Sequence, residues 1–209
     1  MSSSSLWLMD KEFNGVVDSE YRNSWWFSPV VWDVLLDKYM HNEIQTPYGY
    51  KKSIIGMGGA ELSNQLNEII NGCTNFSDRI CWEMSQQQVF YTKDKKEVAQ
   101  AILDFSDKNT QYHIDKEENV SVLVFDHIKE RFQEIAKNIL DIDEEKYPYF
   151  IFKNTSVDDN VERWFEKYDD EEDEYGLIPL SEFDEYVTEF VVIENGNINR
   201  FISNLDFFK

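Results

Sequence analysis

Cysteine is scarce in this chain: two in 209 residues, Cys73 and Cys81. Their spacing fits neither a disulfide framework nor a zinc pattern, and they read as small thiols in or near a core. Only three histidines are present, His41, His113 and His127. They are scattered, without a His-x-x-x-His or His-Glu-x-x-His arrangement, so a zinc enzyme is not indicated. Four prolines and eight glycines supply no linker long enough to split the chain into two domains. No run approaches the ~18 apolar residues needed to cross a bilayer. Residues 1–10 lack the basic and apolar regions of a signal peptide, so a cytosolic protein is expected. Positive charge is the other shortage. Against 41 Asp and Glu stand 20 Lys and Arg, a net charge of −21. Phosphate recognition needs clustered Lys and Arg, so direct binding of nucleic acid and of anionic membranes is disfavoured.

Apolar mass is plentiful. The chain is 42% hydrophobic and 15% aromatic, too rich in large apolar groups for a disordered acidic polymer. The expected fold class is α+β: a single domain over 6–209, with four to five helices, a mostly antiparallel sheet and a disordered N-terminus at 1–5. Residues 6–27 have no clean period and read as irregular, with one short strand at most. Ser28-Pro29 opens a helix to about His41. Residues 53–55 suit a short strand, and a helix follows with Leu62, Leu66, Ile69 and Ile70 on one face and Gly72 as its stop. Residues 86–92 suit a strand, and Asp94 is placed to cap a helix carrying Val98, Ala101, Ile102 and Phe105. Residues 120–125 read as a strand or as the start of the amphipathic helix carrying Ile128, Phe132, Ile135, Ala136 and Ile139. Residues 147–152 read as a strand. Ser156 caps a helix reaching about Tyr168, after which the acidic run becomes a solvated loop. Residues 186–194 are strand-like, and Asn195-Gly196 marks a C-terminal β-hairpin.

Most of the negative charge is local. Residues 141–190 hold 18 acids and four bases, and 169–174 are six consecutive acids. Blocks of like charge are often only solvated surface. This block lies inside the fold, however, between Tyr168 and Tyr175, and tyrosine is enriched at protein interfaces. The candidate partner-binding residues are Asp158, Asp159, Glu162, Glu166, Tyr168, Asp169, Asp170, Glu171, Glu172, Asp173, Glu174 and Tyr175.

Other chemistries fit less well. Counted from Asp169, the sixth position of a calcium loop is Glu174, and counted from Asp141 it is Lys146; glycine is required there. Gly56-Met57-Gly58-Gly59 could cradle a phosphate, but the third fingerprint glycine is replaced by Glu61 and no Gly-Lys-Ser/Thr follows. No Gly-x-Ser-x-Gly elbow exists, and no carboxylate pair is singled out among 41 acids. No cofactor and no metal are therefore expected. Trp25 and Trp26 are adjacent and cannot both point inward from a strand, which hints at a second contact surface.

The function expected is a non-enzymatic inhibitor that neutralises a basic nucleic-acid-processing protein, such as a nuclease. An enzyme with a cryptic Gly-loop or carboxylate site is the alternative from another class. A structural or adaptor module whose acids only confer solubility is the third. In size and acidity the chain resembles bacterial immunity proteins and phage-encoded inhibitors. That likeness is of composition and carries over no residues.

Overall fold

The computed structural model describes residues 3–22, 26–47, 52–55, 59–112, 121–155, 166–169, 171–177 and 189–203. The fold is α+β, with five α-helices and a six-stranded, mostly antiparallel sheet among the described residues. The chain forms two compact units. One comprises residues 1–24, 86–97 and 138–209; the other comprises 25–85 and 98–137.

The first unit holds the sheet, in the order β2-β1-β4-β3-β7-β8. β1 (Ser3–Met9) pairs with β2 (Gly15–Arg22) on one side and with β4 (Tyr149–Thr155) on the other, both antiparallel. Ser3–Ser5, expected to fray, therefore belong to the sheet. Ser4 and Ser5 are buried, and Ser5 Oγ accepts the Trp7 indole N–H at 2.8 Å. Pairing on both sides satisfies the backbone of a segment whose side chains have little hydrophobicity of their own. The irregular reading of 6–22 is corrected in the same way. A bulge between Leu6 and Trp7 in the register of β1 and β2 breaks the alternation that would have marked the strands.

β3 (Val89–Tyr91) is short and lies between β4, antiparallel, and β7 (Glu189–Glu194), parallel. Beyond its end two glutamines extend the ladder. Gln87 Oε1 accepts the Asn154 amide at 3.0 Å, and Gln88 Oε1 accepts the Glu189 amide at 2.8 Å. β7 returns antiparallel as β8 (Asn197–Ser203) across Asn195 and Gly196, both at positive φ, as the hairpin signal requires. Both sheet faces are buried. Trp7, Met9, Val89, Ile151 and Phe190 fill one, and Leu6, Leu8, Phe90, Phe150, Phe152 and Val191 alternate with them. Lys153 shares the face of Trp7, fully buried, with Nζ 4.1 Å from the centre of the Trp7 ring. A 3₁₀ turn, Thr92–Asp94, leads out of β3.

The second unit is helical. α1 (Ser28–Ile44) buries Val31, Val34, Leu35 and Leu36, and packs on α2 (Gly59–Asn71) and α3 (Phe76–Ser85). Most of α4 (Lys95–Lys108) and α5 (Asp126–Leu140) belongs to it too. Phe132 of α5 lies 4.9 Å from Phe27 and 6.0 Å from Phe105, ring centre to ring centre. Neither reading of 120–125 holds for its described part: residues 122–124 form a 3₁₀ turn, and the helix begins at Asp126. Ser121 accepts the Leu123 amide there, a local bond that competes with extension.

Residues 54–55 are a turn and not the strand expected. The carbonyl of Ile54 instead closes on Gly59, where a Cβ would stand 1.8 Å from the oxygen. Gly59→Ala should therefore destabilise the protein by about 1–3 kcal/mol. Gly72→Ala, whose Cβ meets nothing nearer than 3.6 Å, should change stability by less than about 0.5 kcal/mol. Urea unfolding of the two variants measures the contrast, and equal effects would contradict the packing at Gly59.

Candidate functional site

Residues 156–165, where a helix capped by Ser156 is expected, lie outside the described residues, and the segment expected as a solvated loop is partly strand. Residues 166–169 form β5 (Glu166–Asp169), which pairs antiparallel with β6 (Glu174–Leu177) in a two-stranded sheet apart from the six-stranded one. The register sets Tyr168 opposite Tyr175 and Asp169 opposite Glu174. Glu166, Tyr168, Asp169, Glu174 and Tyr175 are thus strand positions of one hairpin. Glu171, Glu172 and Asp173 form its exposed turn, with Asp173 at φ 57°. Aspartate tolerates that left-handed conformation better than most residues, which suits it to close the turn. At residues 166–168, where that helix was expected to end, the chain is strand; like charges at helical spacing repel, which disfavours a helix there. Asp158, Asp159, Glu162 and Asp170 lie outside the described residues.

A second acidic turn precedes β4. Asp141, Asp143, Glu144 and Glu145 are all exposed. Asp143 Oδ1 accepts the amides of Glu145 at 3.0 Å and Lys146 at 3.3 Å, which pins the turn. Ion pairs join Lys38 to Asp78, His41 to Asp37, Lys108 to Asp104 and Arg131 to Glu134. Of the four bases in that segment, Lys153 is buried against Trp7 and Lys146 is exposed. Among the described residues no group of three or more His, Cys, Asp or Glu is placed to hold a metal ion. No helix there is long and apolar enough to cross a membrane.

Sequence reasoning passed over a buried polar cluster in the helical unit. Asp78 on α3 is fully buried. Its Oδ2 accepts Lys38 Nζ at 2.6 Å and the Tyr39 hydroxyl at 2.5 Å, and its Oδ1 accepts Asn109 Nδ2 at 3.0 Å. Lys38 also donates to Asn109 Oδ1 at 2.8 Å and stands 5.4 Å from the ring centres of both Tyr39 and Tyr112. The Tyr39 hydroxyl reaches Cys73 Sγ at 3.0 Å. Burial first, and then the bond to Asp78, push the Tyr39 phenol far above its usual value, so it stays protonated. Asn75 places this carboxylate, because its Oδ1 accepts the Asp78 amide at 3.3 Å from the N-cap of α3. The one local signal was Asn75 itself, three residues ahead of Asp78. The cluster ties α1, α3 and the segment after α4 together.

The Gly-rich segment does not have the strand that a phosphate loop needs ahead of its helix, since 54–55 are a turn. Gly56, Met57 and Gly58 lie outside the described residues, as does Trp25. Trp26 is half-buried, its ring 4.9 Å from His127 and 5.7 Å from the Arg131 guanidinium carbon.

Lys38→Met would leave Asp78 buried without its cation and should cost about 3–5 kcal/mol by urea unfolding. A loss below about 1 kcal/mol would show that the pair contributes little. Burial, and then the Asp78 carboxylate, also raise the Cys81 thiol well above its ordinary value. A thiol reagent at about pH 8 should therefore modify the half-buried Cys73 in the folded protein and Cys81 only after unfolding. Intact-mass spectrometry distinguishes these outcomes, and early labelling of Cys81 would contradict its burial. Comparison of the chain with protein-family models, curated proteins and solved structures finds no match.

Proposed function

We propose that this protein is a non-enzymatic, immunity-type inhibitor that neutralises a basic nucleic-acid-processing protein, such as a nuclease, through its acidic segment. The observation that supports this reading most strongly is the β5–β6 hairpin, which puts Asp169 and Glu174 at the ends of two paired strands and Glu171, Glu172 and Asp173 in the exposed turn between them. A hairpin holds its carboxylates at fixed strand spacing, where a disordered tail would not. Carboxylates so held can stand in a cationic groove where phosphates would otherwise lie. Tyr168 and Tyr175, opposite each other in the register, are the proposed anchors. The pinned turn at 141–146 adds a second source of negative field in the same unit. Such a field accelerates encounter with a cationic partner and makes it sensitive to salt. The reading puts the protein in the cytoplasm, where its two free thiols remain reduced.

Glu171→Gln, Glu172→Gln and Asp173→Asn together remove three exposed charges from the hairpin tip without touching a buried group. Wild type and this triple variant, used in parallel as baits at low and high salt, should capture different proteins. The expected result is a basic nuclease held by wild type at low salt, released by salt, and inhibited when wild type is added back. With that partner, the variant should associate about tenfold more slowly at low salt and show a flatter salt dependence. Equal capture and equal association rates by the variant would defeat the proposal.

A further inference from the structure

The dipeptide Asn-Gly occurs at Asn14-Gly15, Asn71-Gly72 and Asn195-Gly196. It is chemically labile. The backbone nitrogen that follows an asparagine can attack the side-chain amide carbon and close a five-membered imide, and glycine leaves that nitrogen unshielded because it has no Cβ. The fold treats the three pairs differently.

Asn14 is clamped. Asp10 Oδ1 accepts its backbone amide at 3.0 Å, Asp10 Oδ2 accepts its side-chain amide at 3.1 Å, and its carbonyl accepts the Asp10 amide at 3.1 Å. Gly15 beyond it is buried and paired with Met9. Asn71 ends α2, and there the attacking nitrogen is engaged: Gly72 donates its N–H to the Ile69 carbonyl at 3.2 Å. The neighbouring Ile70 is fully buried and anchors that turn of helix. Asn195 has neither restraint. It and Gly196 are exposed. Its carbonyl accepts Asn197 Nδ2 at 3.2 Å, but among the described residues no hydrogen bond holds its side-chain amide.

Its protection is conformational. Asn195 has φ 54°, and a non-glycine residue there adopts ψ of about +30 to +60°. At that ψ the Gly196 nitrogen lies across the Cα–C bond from the side chain, out of reach of Cγ. Ring closure therefore needs the turn to rotate. β8 ends the sheet order, and Glu194 with Asn197 is the pair of its ladder nearest the turn. Parting an exposed end pair of an outer strand is among the least costly openings a sheet makes.

We propose that Asn195 is a site of spontaneous deamidation, reached through opening of the β7–β8 turn, while Asn14 and Asn71 are held against the same reaction. Hydroxide takes the Gly196 amide proton. The nitrogen bonds to Asn195 Cγ, the Cγ–Nδ2 bond breaks, and Nδ2 leaves as ammonia after gaining a proton from water. Water then opens the imide at either carbonyl, giving an aspartyl residue or an isoaspartyl residue with one more methylene in the backbone. Either product adds a negative charge to the turn. The isoaspartyl product also lengthens a connection whose two residues set the strand register, so it loosens β8 from β7. None of these atoms belongs to the acidic hairpin, so the site stands or falls independently of the inhibitor reading.

The test incubates the full chain in mildly alkaline buffer, folded and in concentrated guanidinium chloride. Peptide mass spectrometry follows the conversion of amide to acid at each asparagine. In the folded protein Asn195 should convert at least about tenfold faster than Asn14 or Asn71. In denaturant all three should convert faster than when folded, at similar rates. Asp10→Ala removes the clamp and should speed conversion of Asn14 in the folded protein, with the Asn195 rate unchanged. Hydrogen exchange of the isoaspartyl product should rise along β8 and stay as in wild type along β1. Asn195→Asp keeps a residue that tolerates the left-handed turn and should exchange as wild type does. Conversion of Asn14 or Asn71 as fast as Asn195 in the folded protein would overturn the proposal. So would an Asn195 rate equal in the folded and denatured chain, the folded ranking persisting in denaturant, or an unmoved Asn14 rate in Asp10→Ala.

Discussion

Charge that cannot leave water governs this architecture. A carboxylate buried without a partner costs more than one apolar contact returns, so 41 acids can be carried only where solvent reaches them or a cation answers them. Within 141–190 the chain meets this constraint by alternation. The acids at 141–145 form a turn, the next strand, β4, is buried through Phe150, Ile151 and Phe152, and Asp169, Glu171, Glu172, Asp173 and Glu174 lie at a hairpin tip. The strand between the two acidic turns pairs with β1 and β3, so the most charged segment also supplies an inner strand of the sheet. Charge and core are separated along the sequence by a few residues, and in space by the pleat and the turn.

Sheet and helix content was legible wherever an apolar period survived. The stripe Ile128, Phe132, Ile135 and Ile139 marked α5, Leu62, Leu66 and Ile70 marked α2, and Asn195-Gly196 marked the hairpin that closes the sheet. What escaped had its pattern overwritten by polar groups that tertiary structure satisfies. α3 buries Asp78 and Glu83 among Ile80, Cys81, Trp82 and Met84, so no stripe shows. β1 begins with serines that gain their place from pairing on both sides, a fact no local window contains.

The acidic segment shows the same limit at the level of function. Its composition was visible at once, while its shape was not. A run of six acids reads as solvated coil, because nothing local reveals that Tyr168 will face Tyr175 in the register. That pairing is set across a turn containing Glu171, Glu172 and Asp173, charges that ordinarily discourage strands. A coherent hairpin and a loose loop carry the same charge but differ in the entropy a partner must overcome to bind them. The hairpin holds its carboxylates beforehand, and pre-organisation lowers that cost.

Asp78 and Asp94 set two states of a buried carboxylate side by side. Asp78 is deeper, yet it is met by a lysine, a phenol and an amide, and its position joins helices. Asp94 is half-buried, and its Oδ2 makes no hydrogen bond. Depth alone does not separate them. The count of partners does, because an unsatisfied carboxylate keeps a desolvation penalty that a satisfied one has offset.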